Sequence, residues 1–389
     1  MTASLYIHVP FCSGACDYCD FYSLPVKEDD PRPELYIDKV LSDAEAQFAR
    51  YGIGRVPTVY IGGGTPSVLG AKGIRRLLGG LLWPGEARPL EITVEANPES
   101  ADRGFLSAAA QGGATRLSLG VQSFHEASRR QVRRTGEGRL LPERLKAAAE
   151  LFPCAFSADI ISGLPSQNEK VLLGDLERLL SYSPAHVSLY ALTVEEGTPL
   201  AKKSRKAAGL PPMDEADRLW IRGRDFLEEA GYGQYEVSNF CLPGKESRHN
   251  IGYWRMGNWL GLGPAASGTL IDDATGRGLR RTVAPDLDLW LNRERGELES
   301  EELLDPPTLM KETILMGFRY IEGPDTALFR RRFGRDLEDL IGRTIARWRE
   351  RGLMRPDRMA LTKEGLLFLN PFVTEAFEEL EGRRPPCRG

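Results

Sequence analysis

Three cysteines, Cys12, Cys16 and Cys19, are the residues of this sequence best suited to chemistry, because they share one short loop with the spacing C-x3-C-x2-C. The loop follows an apolar, strand-like run at residues 5–11. Three thiolates can hold three corners of a cubane [4Fe-4S] cluster and leave the fourth iron without a protein ligand. Such an iron can bind a small molecule, whereas a cluster with four protein ligands usually transfers electrons. The spacing therefore predicts a cluster that performs chemistry or holds a ligand.

Other uses of these cysteines fit the sequence less well. A structural zinc site normally takes four ligands, often as two C-x-x-C pairs. The remaining cysteines, Cys154, Cys241 and Cys387, are isolated and distant in sequence. A disulfide framework is not expected in a chain of 389 residues with six scattered cysteines.

Alternating strands and helices in the first half of the chain must position this loop. Strands are predicted at residues 5–10, 58–62, 91–96, 116–122, 156–162 and 186–192, and helices at 33–51, 72–81, 101–112, 141–152 and 169–181. Repeated β–α units favour a parallel sheet covered by helices. Six units predict an α/β fold, an incomplete (β/α)6 TIM-like barrel, whose active site gathers at the C-terminal ends of the strands.

Chemically distinctive residues recur at that end of successive predicted strands. A Gly-Gly-Gly-Thr-Pro run at residues 62–66 follows the second strand, Glu95 lies at the end of the third, Gln122 ends the fourth and Asp159 lies towards the end of the fifth. Glycines let a backbone approach a ligand closely, although a lone glycine run more often forms a tight turn. The placement favours a ligand site at this rim.

Glu95 needs a hydrogen-bond donor, because an unpartnered carboxylate in an apolar strand end is costly. The candidates are a ligand hydroxyl, Arg116 and Arg134, and an internal salt bridge is the alternative to a ligand role. Gln122, Arg134 and Asp159 could likewise bind a ligand or tie strands together.

His249 is the most informative of the four histidines, because Tyr253, Trp254 and Trp259 supply flat apolar surface close to it in sequence. A lone histidine is ordinarily a structural, hydrogen-bonded residue. An imidazole beside aromatic rings also suits a haem, whose iron accepts histidine.

The later part of the chain predicts further units. We expect a barrel domain at residues 1–210, with a linker at 202–212, a connecting region with the His249 segment at 211–300, and a helical module at 301–389. The connecting region contains a predicted helix at 213–230 and a predicted strand at 234–240. Helices from residue 306 and a hairpin at 353–362 predict a winged-helix-like module. Arginines between residues 330 and 358 are interleaved with acids, which favours a solvated surface over a nucleic-acid interface.

The composition is that of a soluble globular protein, with 41% hydrophobic residues and a net charge of −4. No apolar run approaches the ~18 residues that span a bilayer. The first predicted strand leaves no room for a targeting peptide. Reduced cysteines and an oxygen-labile cluster predict a cytoplasmic protein.

Several of these motifs together resemble one family. Residues 6–12, the cysteine loop, 62–66, 94–98, 119–124, 159–165 and 261–263 resemble the oxygen-independent coproporphyrinogen III oxidases of the radical S-adenosylmethionine (SAM) superfamily. The resemblance implies that Cys12, Cys16 and Cys19 bind the cluster and that SAM chelates its open iron. It implies SAM contacts at Tyr6, Gly63, Gly64, Thr65, Glu95, Gln122, Arg134 and Asp159.

Within that family the sequence is more similar to the HemW-type haem chaperones. The oxidases carry a fourth cysteine where this chain has Phe21, and they have an extension ahead of the first strand. The His-Asn-x-x-Tyr-Trp segment at His249 matches the haem-binding motif of the chaperones, which implies His249 as the haem contact. One departure is Gly136, which stands where relatives tend to have a histidine.

The resemblance implies a haem chaperone that binds a [4Fe-4S] cluster, SAM and haem. Its expected partners are haem-acceptor proteins, including a membrane-associated acceptor, and an electron donor, but no nucleic acid. Either a monomer or a homodimer is compatible, and SAM cleavage remains open. The alternatives are oxidase activity, the decarboxylation of coproporphyrinogen III to protoporphyrinogen IX, and a haem-opening radical SAM methyltransferase.

Overall fold

A computed structural model describes residues 1–27, 29–85, 87–203, 209–292 and 299–382. The predicted linker at 202–212 lies partly outside the described residues, and so does the end of the predicted connecting region. Cys387 also lies outside them.

Strands and helices alternate through the first half, as predicted. The strands are β1 (Ser4–Val9), β2 (Phe11–Cys12), β3 (Leu24–Pro25), β4 (Thr58–Gly63), β5 (Glu91–Ala96), β6 (Arg116–Gln122), β7 (Phe156–Ser162), β8 (His186–Ala191), β9 (Gly233–Gln234), β10 (Asn239–Cys241), β11 (Trp259–Leu262), β12 (Ser267–Asp272), β13 (Arg277–Val283) and β14 (Glu299–Leu304). The helices are α1 (Arg32–Arg50), α2 (Gly70–Gly80), α3 (Arg103–Gln111), α4 (Glu126–Gln131), α5 (Leu141–Leu151), α6 (Glu169–Leu180), α7 (Met213–Glu229), α8 (Arg248–Trp254), α9 (Leu287–Asn292), α10 (Pro306–Gly317), α11 (Thr326–Phe333), α12 (Leu337–Glu350), α13 (Lys363–Leu366) and α14 (Leu369–Leu380).

The six predicted strands are β1, β4, β5, β6, β7 and β8, and they lie side by side in chain order as a parallel sheet. Along β4, Val59 and Ile61 are fully buried in the main hydrophobic core, while Thr58, Tyr60 and Gly62 alternate with them on the opposite face. Side chains of a strand alternate between its two faces, so the inner face of the barrel carries the polar set. The partial α/β barrel is confirmed.

The sheet extends beyond the six predicted strands. Within the described ranges it has twelve strands in the order β14-β13-β12-β11-β1-β4-β5-β6-β7-β8-β10-β9, and β11 pairs with β1 in parallel. The prediction of a single strand at 234–240 is wrong, because this region contains two short strands, β9 and β10, that pair antiparallel. The sequence analysis also missed α4 and the antiparallel strands β12 to β14.

One glycine in each of β11 and β12 explains why these two strands were not recognised. A Cβ on Gly261 would lie 2.3 Å from Ser267 O, and one on Gly268 would lie 2.7 Å from Gly261 N. The close approach of β11 and β12 therefore excludes larger side chains. It also removes the β-branched residues by which a strand is recognised.

The C-terminal helices form a second core around Phe318, Phe329, Trp348 and Phe372. The predicted hairpin is a minimal one, with an antiparallel bridge between Met354 and Leu361. It follows α10, α11 and α12, as expected, and the described chain then adds α13 and α14.

Arginines of the C-terminal module form ion pairs with acidic side chains. Arg343 binds Glu379 at 3.2 Å, and Arg332 binds Asp273 at 2.8 Å. In the part of the chain that the structure covers, no helix has the length and apolarity needed to cross a bilayer.

Candidate functional site: a cysteine loop and a buried histidine

The cysteine loop leaves β1 and is closed at its base by a short parallel pairing of β2 with β3. Cys12 Sγ donates to Gly14 O at 3.0 Å and lies 3.2 Å from Thr65 Oγ1. Cys16 is 5% exposed, and Cys12 and Cys19 are half-buried. The thiols therefore lie at the C-terminal end of β1, where the sequence analysis placed them.

Asp17 ties this loop to the rest of the barrel rim. Its buried carboxylate binds Arg133 and accepts from Lys203 Nζ at 2.8 Å. Its backbone N–H donates to Val132 O at 2.9 Å. Burial opposes ionisation of Asp17, but the hydrogen bonds from Lys203 and Arg133 outweigh it and hold the pKa below its ordinary value.

Arg134 places a cation beside the loop. Its Nη1 lies 3.7 Å from Cys16 Sγ, and its Nη2 donates to Asn97 Oδ1 at 2.7 Å and Gly120 O at 2.6 Å. Burial disfavours the charged form, yet electrostatic interactions with Tyr18, Cys16 and Glu99 raise the pKa of Arg134. A cation beside a sulfur stabilises negative charge on it, as a thiolate metal ligand requires.

Unpaired polar atoms at this rim fit a bound ligand. Arg134 Nε and Gln122 Oε1 are buried and have no hydrogen-bond partner among the described residues. Gln122 adopts a φ of 69° at a bulge in β6. Buried polar atoms are normally paired, so these two are available to a molecule such as SAM. Within the described ranges, no three His, Cys, Asp or Glu side chains converge on one point as the ligands of a single ion do.

The glycine run is required by packing within the protein. A Cβ on Gly63, whose φ is 103°, would lie 2.7 Å from His8 Nδ1, and one on Gly64 would lie 2.4 Å from Phe11 O. These contacts explain the glycines without a ligand, so SAM binding at Gly63 and Gly64 stays a prediction. The Thr65 hydroxyl accepts from Asn97 Nδ2 at 2.9 Å, close to Cys12.

Glu95 and Asp159 are acids on the inner face of the barrel. Tyr60 Oη donates to Glu95 Oε1 at 2.6 Å, and the Gly63 N–H also donates to this carboxyl. Burial raises the pKa of Glu95 to about 7, and the charge of Asp159 adds to the rise. Burial raises the pKa of Asp159 to about 6, against hydrogen bonds from the Ser188 and Ser118 hydroxyls.

The arginines expected to partner Glu95 bind elsewhere. Arg116 donates to Lys245 O at 3.0 Å, and Arg134 binds Asn97 and the backbone. The expectation of an arginine partner is therefore wrong, because Tyr60 reaches the carboxyl from the neighbouring strand.

Part of the inner face of the barrel remains exposed to solvent. Tyr6, Tyr60, Glu95 and Asp159 lie on the inner face and are only half-buried, and Tyr190 is 43% exposed. Tyr6 Oη is 3.0 Å from His8 Nδ1, so this implied SAM contact is already positioned by its neighbour.

His249 lies at the other end of the strands. It is 1% exposed, Nδ1 is 2.8 Å from Thr58 Oγ1, and Nε2 is 2.8 Å from Tyr253 Oη. Thr58 begins β4, four residues before Gly62 or about 13 Å along the strand at ~3.3 Å per residue. Burial lowers the pKa of His249 to about 3, so its imidazole is neutral. The structure thus separates His249 from the cysteine loop.

The N-terminus of helix α8, which carries His249, is held by Glu91, an acid that sequence analysis did not single out. Ser247 caps the helix, and Glu91 accepts the His249 N–H at 2.9 Å and the Arg248 N–H at 3.1 Å. Aromatic rings pack edge-to-face beside the histidine, with centroids 4.8 Å apart for His249 and Tyr253, and 5.0 Å for Tyr253 and Trp259.

Sequence reasoning also missed Asn97, Glu99 and Tyr60. Glu99 accepts from Ser13 of the cysteine loop at 2.9 Å and from Thr135 at 2.6 Å. Gly136 has a φ of 78°, and a Cβ there would lie 2.9 Å from Glu99 Cβ. Asn97 lies near the end of the residue 94–98 motif and Glu99 directly follows it, so both could have been found by their position.

A parallel β/α sheet with a C-x3-C-x2-C loop behind its first strand defines a radical SAM protein. The Radical SAM superfamily model matches residues 6–203, and the HemN C-terminal domain model matches residues 304–368. Membership of this superfamily implies a [4Fe-4S] cluster and SAM.

Similar proteins identify the family to which the chain belongs within this superfamily. The heme chaperone HemW of Escherichia coli K12 is 34% identical over 381 residues, which cover 95% of this chain and 97% of that protein. The mitochondrial radical S-adenosyl methionine domain-containing protein 1 of Bos taurus is 33% identical, with 97% and 88% covered. The chain belongs to the HemW heme chaperone family.

A solved structure shares the fold. Coproporphyrinogen III oxidase (HemN) from Escherichia coli, a radical SAM enzyme, superimposes with a TM-score of 0.80 at 22% identity, covering 96% of this chain and 90% of that one. The expected radical SAM barrel with a helical C-terminal part is confirmed.

Proposed function

We propose that this protein binds haem through His249, holds a [4Fe-4S] cluster and SAM at the opposite end of the barrel, and delivers haem to acceptor proteins. The observation that carries the proposal is the state of the His249 imidazole. It is neutral, and one ring nitrogen offers a lone pair towards a group of aromatic side chains.

The hydrogen bonds of Thr58 assign that nitrogen. The Thr58 hydroxyl donates to Ser4 Oγ at 2.8 Å, so the same hydroxyl must accept from His249 Nδ1–H. Nε2 then carries the lone pair and accepts from the Tyr253 hydroxyl. A neutral imidazole whose Nδ1–H is fixed by a hydrogen bond has the form in which histidine binds metals through Nε2.

Tyr253 must leave Nε2 before a haem iron can bind there. Tyr253 and Trp259 are half-buried and pack beside the buried histidine. Their movement would open a path to Nε2 and supply flat apolar surface to a macrocycle.

The cluster would be held by Cys12, Cys16 and Cys19, with Arg134 beside Cys16. When bound, a cluster with an open iron supplies a binding point for SAM and a source of one electron. The side chains of this protein would orient SAM: the free acceptor of Gln122, the carboxyls of Glu95 and Asp159, and Tyr6 and Thr65 at the rim.

Phe21 favours haem delivery over the oxidase reaction. It is 61% exposed next to the cysteine loop and has no sulfur to offer, whereas the oxidases carry a cysteine at this place. Conversion of coproporphyrinogen to protoporphyrinogen by the reduced protein with SAM would contradict a role restricted to delivery.

The cellular setting is part of the proposal. The five cysteines in the described residues are free thiols, which fits the reducing cytoplasm. The proposed partners are a one-electron donor for the cluster and haem-acceptor proteins, a membrane-associated acceptor among them. The chain would act as a monomer or a homodimer.

An anaerobic haem titration tests the proposal. The parent should form a stoichiometric complex with the absorbance spectrum of histidine-ligated haem. His249→Asn keeps an amide able to bind Thr58 but loses the imidazole lone pair, and should lose that spectrum.

His125→Ala is the matched control, because His125 is half-buried and its Nδ1 bonds Ser128 Oγ at 2.9 Å, away from the site. It should bind haem as the parent does. An unchanged haem complex in folded His249→Asn would show that the assigned ligand is wrong.

A further inference from the structure

Tyr60 contacts both ends of the barrel interior. Its hydroxyl donates to Glu95 Oε1 at 2.6 Å, and its ring lies on the His249 imidazole with centroids 5.3 Å apart and planes 33° apart. Tyr60 lies on β4 between Thr58, which holds His249, and Gly63, which donates to Glu95. One side chain therefore joins the proposed haem ligand to an implied SAM contact.

On the Glu95 side, Tyr60 determines the state of the carboxyl. The hydroxyl orients the carboxyl and favours its ionised form against the effect of burial. An ionised carboxylate accepts through two oxygens, so a ligand hydroxyl can bind beside Tyr60. If the tyrosine moves, the carboxyl loses both its orientation and its stronger acceptor form.

On the His249 side, Tyr60 responds to the position of the imidazole. Iron binding at Nε2 requires the imidazole to exchange the 2.8 Å bond to Tyr253 for a metal bond. Tyr60 packs against the face of that ring, and close-packed interiors transmit such displacements. A shift of the imidazole therefore moves the tyrosine ring and the hydroxyl attached to it.

We propose that Tyr60 is a positioning residue that links the two sites, so that haem bound at His249 changes the affinity of the protein for SAM near Glu95. The inference rests on the proposed function. By thermodynamic reciprocity, SAM must change the affinity for haem by the same factor. Coupling between two sites typically amounts to about fivefold or more.

The test measures the SAM dissociation constant of the anaerobically reconstituted protein by calorimetry, with and without one equivalent of haem. The two constants should differ at least about fivefold in the parent. Tyr60→Phe keeps the ring on His249 and removes the bond to Glu95. This variant should keep the haem spectrum of the parent and bring the ratio of the two constants close to one.

Tyr232→Phe is the matched control. It removes another buried tyrosine hydroxyl, which donates to Pro184 O at 2.6 Å and touches neither site. The ratio in this variant should equal that of the parent, which separates the loss of a buried hydroxyl from the loss of this contact.

The outcomes distinguish the inference from the proposed function. If the parent takes up no haem, both fail. If the parent binds haem and SAM with a ratio of one, the coupling fails and the proposed function stands. If the parent shows a ratio above five and Tyr60→Phe retains it, the link does not pass through Tyr60 and the inference is wrong.

Discussion

The two ends of the barrel interior differ in whether the side chains proposed to bind a ligand are already hydrogen-bonded. At the cysteine end, Arg134 Nε and Gln122 Oε1 are buried without a partner among the described residues. At the other end, both ring nitrogens of His249 are hydrogen-bonded. A ligand at the cysteine end can form hydrogen bonds with these unpaired atoms, whereas a ligand at His249 must displace the Tyr253 hydroxyl. Under the proposed function, this difference fits a permanent cofactor site at one end and an exchangeable cargo site at the other.

The largest effect should come from the cysteines. Replacing Cys12, Cys16 or Cys19 by serine should abolish cluster formation, because each thiolate holds one corner. Iron content and the charge-transfer absorbance after anaerobic reconstitution should fall to background.

Cys154→Ser is the control for this series, since Cys154 is exposed and lies outside the loop. It should reconstitute as the parent does. A full cluster in any of the three single-serine variants would show that the replaced cysteine is not a cluster ligand. The proposed cluster site would then be wrong.

The two ends should also respond to pH with opposite signs. His249 has a folded-state pKa of about 3, below the ordinary 6.5, so below pH 6.5 the unfolded chain binds a proton that the folded protein does not. The parent should lose about 1.4 kcal/mol of unfolding free energy per pH unit, between pH 6 and 5, relative to His249→Asn. Denaturant unfolding of both proteins across that range measures the difference. An equal pH dependence would show that His249 is not buried as a neutral group.

Glu95 should produce the opposite slope. Its pKa rises from 4.5 to about 7 on folding, so its contribution is fully present below pH 4.5 and is lost as the pH rises through 7. Because the side chain is partly exposed, we expect the parent to lose about 2 kcal/mol relative to Glu95→Gln over this range. The same unfolding series measures it. A difference that grows with pH in favour of the parent would have the wrong sign.

The smallest effect should come from the anchor of the cysteine loop. Asp17→Asn should lower the unfolding free energy by about 1 kcal/mol, because Arg133 and Lys203 lose a carboxylate but are themselves largely exposed. Asp38→Asn, which removes a pair between exposed side chains at Arg76, should cost only a few tenths of a kcal/mol. Equal losses of unfolding free energy in the two variants would show that the buried carboxylate of Asp17 contributes no more than an exposed ion pair.

The sequence predicted the local elements far better than the contacts between them. The six strands lie within one residue of their predicted bounds, because the periodicity of apolar residues is a local signal. Strand β11 pairs with β1 across more than half the length of the chain, and its single glycine, Gly261, weakens the local pattern.

The site shows the same limit. The cysteines and His249 could be found from spacing and neighbours in sequence. The partner of Glu95 could not, because Tyr60 lies 35 residues away on the adjacent strand. His249 lies away from the rim because it bonds Thr58 at the start of β4. These two residues are 191 positions apart, so no local sequence pattern could predict their contact.

Magnetic circular dichroism of the haem complex tests the central claim most directly, when it is recorded for the parent, for the variant with all three loop cysteines replaced by serine, and for His249→Asn. We predict histidine ligation in the first two proteins and its loss in the third, because the haem site lies apart from the cluster site. Histidine ligation that survives in His249→Asn, or vanishes with the cysteines, would contradict the account.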